Sequence, residues 1–329
     1  MLIVPIALVL IGFLLLMWSA DLLVDNASEL GSRLGVSTFL IGIIVVGFGT
    51  SAPEMFVSAM AALQDKGNLA LGNALGSNIT NIGLVLGSAA LVRSLPVARS
   101  TAVIDIPIVI VSGALAIFLI SDGLLSNFDG FLLLAILMGY LYWSARHSQG
   151  AGNEPDLSKE VADPHELDLS RINHPKGKST LSAVLFTILS IILLMAASRM
   201  LVYGAIEIAE FFGVGELIIG LTIVAIGTSL PELAAAISAA RKGVHDMIIG
   251  NIIGSNIFNT LGVLGITGVI QATDIDTNAL WRDFPVMFLF TIIMFMFAYS
   301  KGSFSRREGG FILFTYFAYI CYLAFSAIS

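Results

Sequence analysis

The sequence predicts an all-α integral membrane protein of ten transmembrane helices, built as two inverted five-helix repeats with broken second and seventh helices. Three observations predict it. The 329 residues are 57% hydrophobic and 12% charged, about half the charged share of a soluble domain. The apolar residues come in runs of about 20, the length a helix needs to cross a hydrocarbon core of roughly 30 Å, and not in the short alternating segments of a membrane β-barrel. Two long motifs of the first half return in the second at one fixed spacing.

Windows of about 19 residues place the spans near 3–23, 37–63, 69–91, 101–120, 128–145, 181–203, 215–240, 246–270, 284–300 and 309–328. No Lys or Arg precedes the first run, which argues for a retained helix over a cleaved signal peptide. The second, third, seventh and eighth runs hold more glycine and polar residues than lipid-facing helices carry and are expected to line something other than lipid. Between the fifth and sixth, His147 to Thr180 contains Pro155, Pro164, Pro175 and mixed charges without apolar periodicity. It reads as a linker that divides the chain into a first repeat (1–146), a cytoplasmic linker (147–180) and a second repeat (181–329). His147, His165, His174 and His245 all fall in predicted loops, so a histidine metal site inside the membrane is not expected. Cys321, the single cysteine, cannot form an internal disulfide and reads as a packing residue. No basic patch suits nucleic acid, and neither a cofactor nor a protein partner is implied.

The repetition is the most informative signal. Gly49-Thr50-Ser51-Ala52-Pro53-Glu54 returns as Gly227-Thr228-Ser229-Leu230-Pro231-Glu232, and the stretch Gly72 to Asn81 (GNALGSNITN) returns as Gly250 to Asn259 (GNIIGSNIFN). The offset is 178 in both cases, and it also pairs Gly35 with Gly213, Gly42 with Gly220 and Gly87 with Gly265. Five spans is an odd number, so the second half enters the membrane from the opposite side and the repeats are inverted. With the N-terminus outside, the inner loops hold thirteen of the sixteen Lys and Arg residues. Only Lys66, Arg199 and Arg282 fall on or near the outer side, a bias that the positive-inside rule reads as both termini outside.

Carboxylates deep in a span are costly unless they meet a cation or a water-filled cavity, and Glu54 and Glu232 each sit inside an apolar run. At 3.6 residues per turn, Gly47, Thr50, Ser51, Glu54 and Ser58 share an arc of roughly 100°, and Ala225, Thr228, Ser229 and Glu232 repeat the pattern. The small residue at each first position leaves its carbonyl open to an ion. Pro53 cannot donate to the carbonyl of Gly49, nor Pro231 to that of Gly227, so each helix is expected to break there. Freed carbonyls, hydroxyls and two carboxylates form an all-oxygen set suited to hard cations such as Ca2+ and Na+. On the partner helices, Asn73, Ser77, Asn78 and Asn81 wind around one side, and Asn251, Ser255, Asn256 and Asn259 repeat this. Asn81 and Asn259 are read as pocket residues. Asn73, Asn78, Asn251 and Asn256 fit ion binding and interhelical hydrogen bonding equally well. Asp21, Asp25, Asp105 and Asp122 lie near span ends, are read as lacking counterparts at the 178 offset and are expected at the membrane interface, and Glu207, Glu210 and Glu216 are expected in loops or a mouth.

These motifs, GTSAPE with GSNITN and GTSLPE with GSNIFN, closely resemble the two alpha repeats of the sodium/calcium exchanger branch of the calcium/cation antiporter superfamily, over nearly the whole chain. The resemblance implies a pocket in which Glu54 and Glu232 bind Ca2+ with Thr50 and Thr228. It implies adjoining Na+ sites that also draw on the Gly47 and Ala225 carbonyls, Ser51, Ser229, Ser77, Ser255, Asn81 and Asn259. Family members often carry Asp at one of the positions matched by Asn81 and Asn259, whereas both are Asn here. The long regulatory loop of animal exchangers is also missing, which points to a compact prokaryotic-type member.

The expected activity is therefore exchange of Ca2+ for Na+ by alternating access at a midplane site. The alternative is H+/Ca2+ exchange, in which protonation of the two glutamates replaces Na+. A cation channel fits less well, because inverted repeats with broken helices suit a transporter better than a symmetric pore. An enzyme is not expected, because the spans contain no H-E-x-x-H and no Ser/His pair.

Overall fold

The computed structural model describes residues 2–150, 179–214, 223, 225–275 and 279–328. Apart from two short ribbons, the chain is helical. Helices α1 (Ile3–Leu34), α2 (Thr38–Ala62) and α3 (Gly67–Val92) are followed by strand β1 (Leu95–Pro96), α4 (Thr101–Leu119), β2 (Leu124–Leu125) and α5 (Asn127–Gly150). Then come α6 (Thr180–Phe211), the short α7 (Ala225–Thr228), α8 (Leu230–Lys242), α9 (His245–Ile270), β3 (Thr273–Asp274), α10 (Trp281–Lys301), β4 (Ser303–Phe304) and α11 (Arg306–Ile328). Among the described residues, eight helices are long and apolar enough to cross a membrane: α1 to α6, α9 and α10. The expected seventh span begins in residues outside those described, and α11 covers the tenth.

Helix ends follow capping chemistry more closely than hydropathy. The expected end of the first span at residue 23 is corrected: α1 runs 32 residues to Leu34, where Gly35 closes it in the left-handed conformation (φ 66). Aspartates end an apolar run but not a helix, and Asp21 and Asp25 are held from α8, by Ser238 on the first carboxylate and by Lys242 Nζ at 2.6 Å from the second. The sixth span likewise extends past 203 to Phe211, and α5 runs on to Gly150, into the segment read as a linker. The rest of that segment up to residue 178 lies outside the described residues. Both α5 and α11 open with a reciprocal box: Ser126 N–H donates to Asp129 (2.9 Å) while Asp129 N–H donates to Ser126 Oγ (3.2 Å), and Ser305 with Glu308 repeats it (2.6 and 3.5 Å).

The expected break at Pro53 does not occur. Helix α2 stays helical through the proline, following a π-helical stretch, Gly42–Gly47, near its start. In the second half the chain does break: Ser229 (φ −95, ψ 10) separates α7 from α8, and Pro231 sits in the first turn of α8, where its missing N–H costs nothing.

Burial sorts the helices. Over its most apolar 18 residues, α9 is 89% buried and α3 78%, against 22% for α1 and 28% for α6. The glycine-rich helices are central, and the two long ones form a peripheral pair. Helices α2 and α9 meet backbone to backbone: a Cβ on Gly250 would lie 2.3 Å from the Phe39 carbonyl oxygen and one on Gly254 2.6 Å from that of Ile43. The ribbons cross between halves, with Leu95 opposite Phe304 and Leu125 opposite Thr273.

Candidate ion-binding site

Because α2 lies against α9 through those glycines, the oxygen-bearing face of the first motif is brought to the Asn and Ser residues of the second half. Ser255 Oγ donates to the Gly47 carbonyl at 3.5 Å, and Asn251 Oδ1 stands 3.4 Å from both the Ser255 and the Thr50 hydroxyls. Thr50 Oγ1 also donates to the Val46 carbonyl at 3.0 Å, within its own π-widened turn. Ser51 Oγ reaches across to Glu232 Oε1 at 3.5 Å, so a hydroxyl of one motif donates to the carboxylate of the other. Glu54 and Glu232 are near enough for their charges to interact.

The burial of these groups is nearly complete. Glu54 is 0% exposed and Glu232 1%, yet both oxygens of Glu54 and Oε2 of Glu232 have no hydrogen-bond partner among the described residues. Asn81 and Asn259 are buried with both amide atoms unpartnered, and Ser229 Oγ is unpartnered too. Buried polar atoms are normally satisfied, so each of these exceptions calls for an explanation. Every orphan named here is an oxygen or an amide nitrogen, and no third carboxylate, histidine or cysteine joins the two glutamates among the described residues. That donor chemistry fits a hard cation.

The remaining sequence candidates are placed as follows. Ser77 and Ser255 are buried on α3 and α9, Thr228 is half-buried at the end of α7, and Ala225 opens α7. Asn81 begins the π-helical turn Asn81–Leu86 of α3, and Asn259 lies in its counterpart Phe258–Val263 of α9. The Asn residues left open between two roles make hydrogen bonds. Asn73 Nδ2 donates to Ser58 Oγ (3.0 Å) and the Glu54 carbonyl (3.3 Å), Asn78 Nδ2 to Thr260 Oγ1 (2.8 Å), and Asn256 Nδ2 to the Ile252 carbonyl (2.7 Å).

Three features escaped the sequence reading. The carbonyl of Gly227, freed by Pro231, is not open to an ion: Ser198 Oγ of α6 donates to it at 3.0 Å. No periodicity flagged Ser198, since its counterpart at the 178 offset is Ala20. Asp105 was expected at the interface but is buried, and it matches Asp283 at that offset, each closing a π-helical turn (Thr101–Asp105 and Ala279–Asp283) before an x-Pro pair. Asp283 accepts from Arg282 Nε (2.7 Å) and Tyr319 Oη (3.1 Å), which makes it an anchor of α10 on α11. The signal was present in the shared Asp-x-Pro. Finally, Lys242 ties α8 to α1 by donating to the Asp21 carbonyl (2.8 Å) as well as to Asp25.

Known proteins show the same organisation. The family profile described as sodium/calcium exchanger protein matches residues 4–146 and 182–325. A putative antiporter, CaxA, of Alkalimonas amylolytica is 42% identical over 97% of this chain and 98% of its own length. The sodium/calcium exchanger MaX1 of Methanosarcina acetivorans is 28% identical over 98% of this chain and 99% of its own. A solved structure of the sodium-calcium exchanger NCX_Mj superimposes with a TM-score of 0.81 at 28% identity, covering 98% of this chain and 99% of that one.

Proposed function

From the premise that the chain belongs to the sodium/calcium exchanger protein family, we propose that it exchanges Ca2+ for Na+ by alternating access at a midplane site built on Glu54 and Glu232. One observation carries this reading: two glutamates from opposite halves are enclosed, and among the described residues three of their four oxygens are unpartnered and neither forms an ion pair with a cationic side chain. A charge in that position is sustained only by a mobile counter-charge. Thr50, Thr228, Ser51, Ser229 and the Gly47 and Ala225 carbonyls supply neutral oxygens for Ca2+ and Na+. Ser77, Ser255, Asn81 and Asn259 complete the Na+ positions. One Ca2+ neutralises the two carboxylates, and Na+ ions compete for the same oxygens.

Ten spans in two inverted repeats, divided at the 147–180 linker, support alternation, because a pseudo-twofold site can open to either side by the same motion. The crossed ribbons agree with that count. Pairing β1 with β4 needs the loop after the third span on the same side as the loop after the ninth, and β2 with β3 needs the same of the loops after the fourth and eighth. Both are met when the spans alternate and α7 and α8 belong to one crossing. The Lys and Arg bias then puts both termini outside the plasma membrane, and a cysteine placed in the linker should resist impermeant reagents in intact cells. Labelling from outside would reverse the assignment of inner and outer sides.

The test is Ca2+ uptake into proteoliposomes under an outward Na+ gradient, repeated with an outward H+ gradient. Uptake driven by Na+ alone supports the reading, uptake driven by H+ alone replaces Na+ by protons, and uptake that needs neither gradient would make the protein a channel. Position 259 offers a finer check. Asn259→Asp adds a third, titratable carboxylate beside two others, and a proton then competes with the ions for that position. Na+-dependent Ca2+ flux in the mutant should gain pH dependence between about pH 5 and 8 relative to the parent, while Ca2+ is still transported. Superimposable pH profiles would show that residue 259 does not face the ions.

A further inference from the structure

We propose that Ser198 of α6 is a positioning residue for the ion site: its hydroxyl holds the Gly227 carbonyl and so fixes the turn that carries Thr228, Ser229 and Glu232. The inference rests on reading that turn as ion-binding. Pro231 has no N–H, so the Gly227 carbonyl has lost the donor that an unbroken helix would give it. Ser198 replaces that donor at 3.0 Å from a side chain that is 5% exposed.

A second observation presses α6 onto the same peptide. A Cβ on Gly227 would lie 2.5 Å from Val202 Cγ2, one turn along α6 from Ser198, so only glycine admits so close an approach. Orientation follows from connectivity. The Gly227 carbonyl belongs to the peptide plane that leads into Thr228, and holding its oxygen sets the direction in which Thr228 and Ser229 leave the break.

The first half is built otherwise. At the matching position α1 carries Ala20, which has no hydroxyl to offer, and α2 stays helical through Pro53. There α6 sets the apolar Ile191 against Gly49, its Cδ1 2.5 Å from where a Cβ on that glycine would lie. One peripheral helix therefore rests on both motif turns but holds the backbone of only one. Movement of α6 is coupled to the second-half oxygens and leaves those of the first half where α9 holds them.

If Ser198 is changed to Ala, the buried Gly227 carbonyl is left without a donor and the peptide turns to find another. The experiment compares wild type, Ser198→Ala, Ser198→Thr and Glu232→Gln in proteoliposomes, measuring Na+-driven Ca2+ uptake against Ca2+ concentration. Ser198→Ala should raise the KM about three- to tenfold, the equivalent of one hydrogen bond, with little change in maximal rate per folded protein. Ser198→Thr, which keeps the hydroxyl, should return the KM toward wild type. A wild-type KM in Ser198→Ala, or equal shifts in the Ala and Thr variants, overturns the proposal while loss of uptake in Glu232→Gln leaves the ion site standing. Undiminished uptake in Glu232→Gln removes the ion-site reading, and the role of Ser198 falls with it.

Discussion

Glu54→Gln and Glu232→Gln are each expected to abolish Ca2+ uptake while leaving a folded protein in the membrane. The amide keeps the size of the side chain but removes one of the two charges proposed to face the cation. Losing one partner of an enclosed charge pair costs about 2–5 kcal/mol, or roughly thirty-fold to several-thousand-fold in affinity. Folding is affected in the opposite sense. Glu54 is wholly buried with neither oxygen hydrogen-bonded, so the ion-free protein gains from the neutral amide what it spent on desolvating a carboxylate. The ion-free melting temperature should therefore stay equal or rise, and added Ca2+ should no longer raise it, as linkage requires when binding is lost. Uptake in vesicles together with melting curves at several Ca2+ concentrations decides the matter, and transport by either variant would refute a site of two carboxylates.

Gly250→Val is expected to be as damaging, for a reason unconnected with charge. The added Cβ would stand 2.3 Å from the Phe39 carbonyl oxygen and 3.1 Å from the Ile43 nitrogen. These are backbone atoms inside α2, so neither can rotate away, and the two helices must separate. Overpacking a core typically costs about 1–3 kcal/mol, and here the same contact is repeated one turn on at Gly254 and from the other side at Gly42, 2.6 Å from the Met247 carbonyl oxygen. The variant should lose most of its monodisperse peak in detergent. Gly310→Ala is the control, because its Cβ would meet Leu91 Cδ2 at 3.7 Å, an ordinary contact. Equal peak heights and melting temperatures for Gly250→Val and wild type would show that α2 and α9 do not touch through their backbones.

Much of this was legible in the chain itself. Runs of apolar residues located the eight described helices long enough to cross a membrane, because lipid forces one composition on every residue that faces it. The 178 offset located the two repeated motifs. Helix termini were less legible: the carboxylates of Asp21 and Asp25 end an apolar window, while Gly35 ends the helix. The least legible difference lies between near-identical segments. Pro53 and Pro231 stand in almost the same six residues, yet one leaves its helix continuous and the other follows a break. Helix α6 meets the two turns differently, with Ile191 at Gly49 and the Ser198 hydroxyl on the Gly227 carbonyl, and no local pattern carries that information. Asp105 does have a counterpart at the 178 offset, Asp283, so the expectation that it stands unpaired at the interface fails on spacing alone.

The crossed ribbons bear on how the protein is made. β1 is complete early in synthesis, with Leu95 destined to be fully buried, but its partner Phe304 lies near the C-terminus. A ribosome adding about 5–20 residues per second needs on the order of ten seconds or more to supply it. Over that interval the newly inserted first half holds a bare strand edge and helices without their partners, and only the arrival of α10 and β4 closes it. A chain severed in the linker should consequently regain transport only when both fragments are synthesised in the same membrane, each serving as the template on which the other finishes folding.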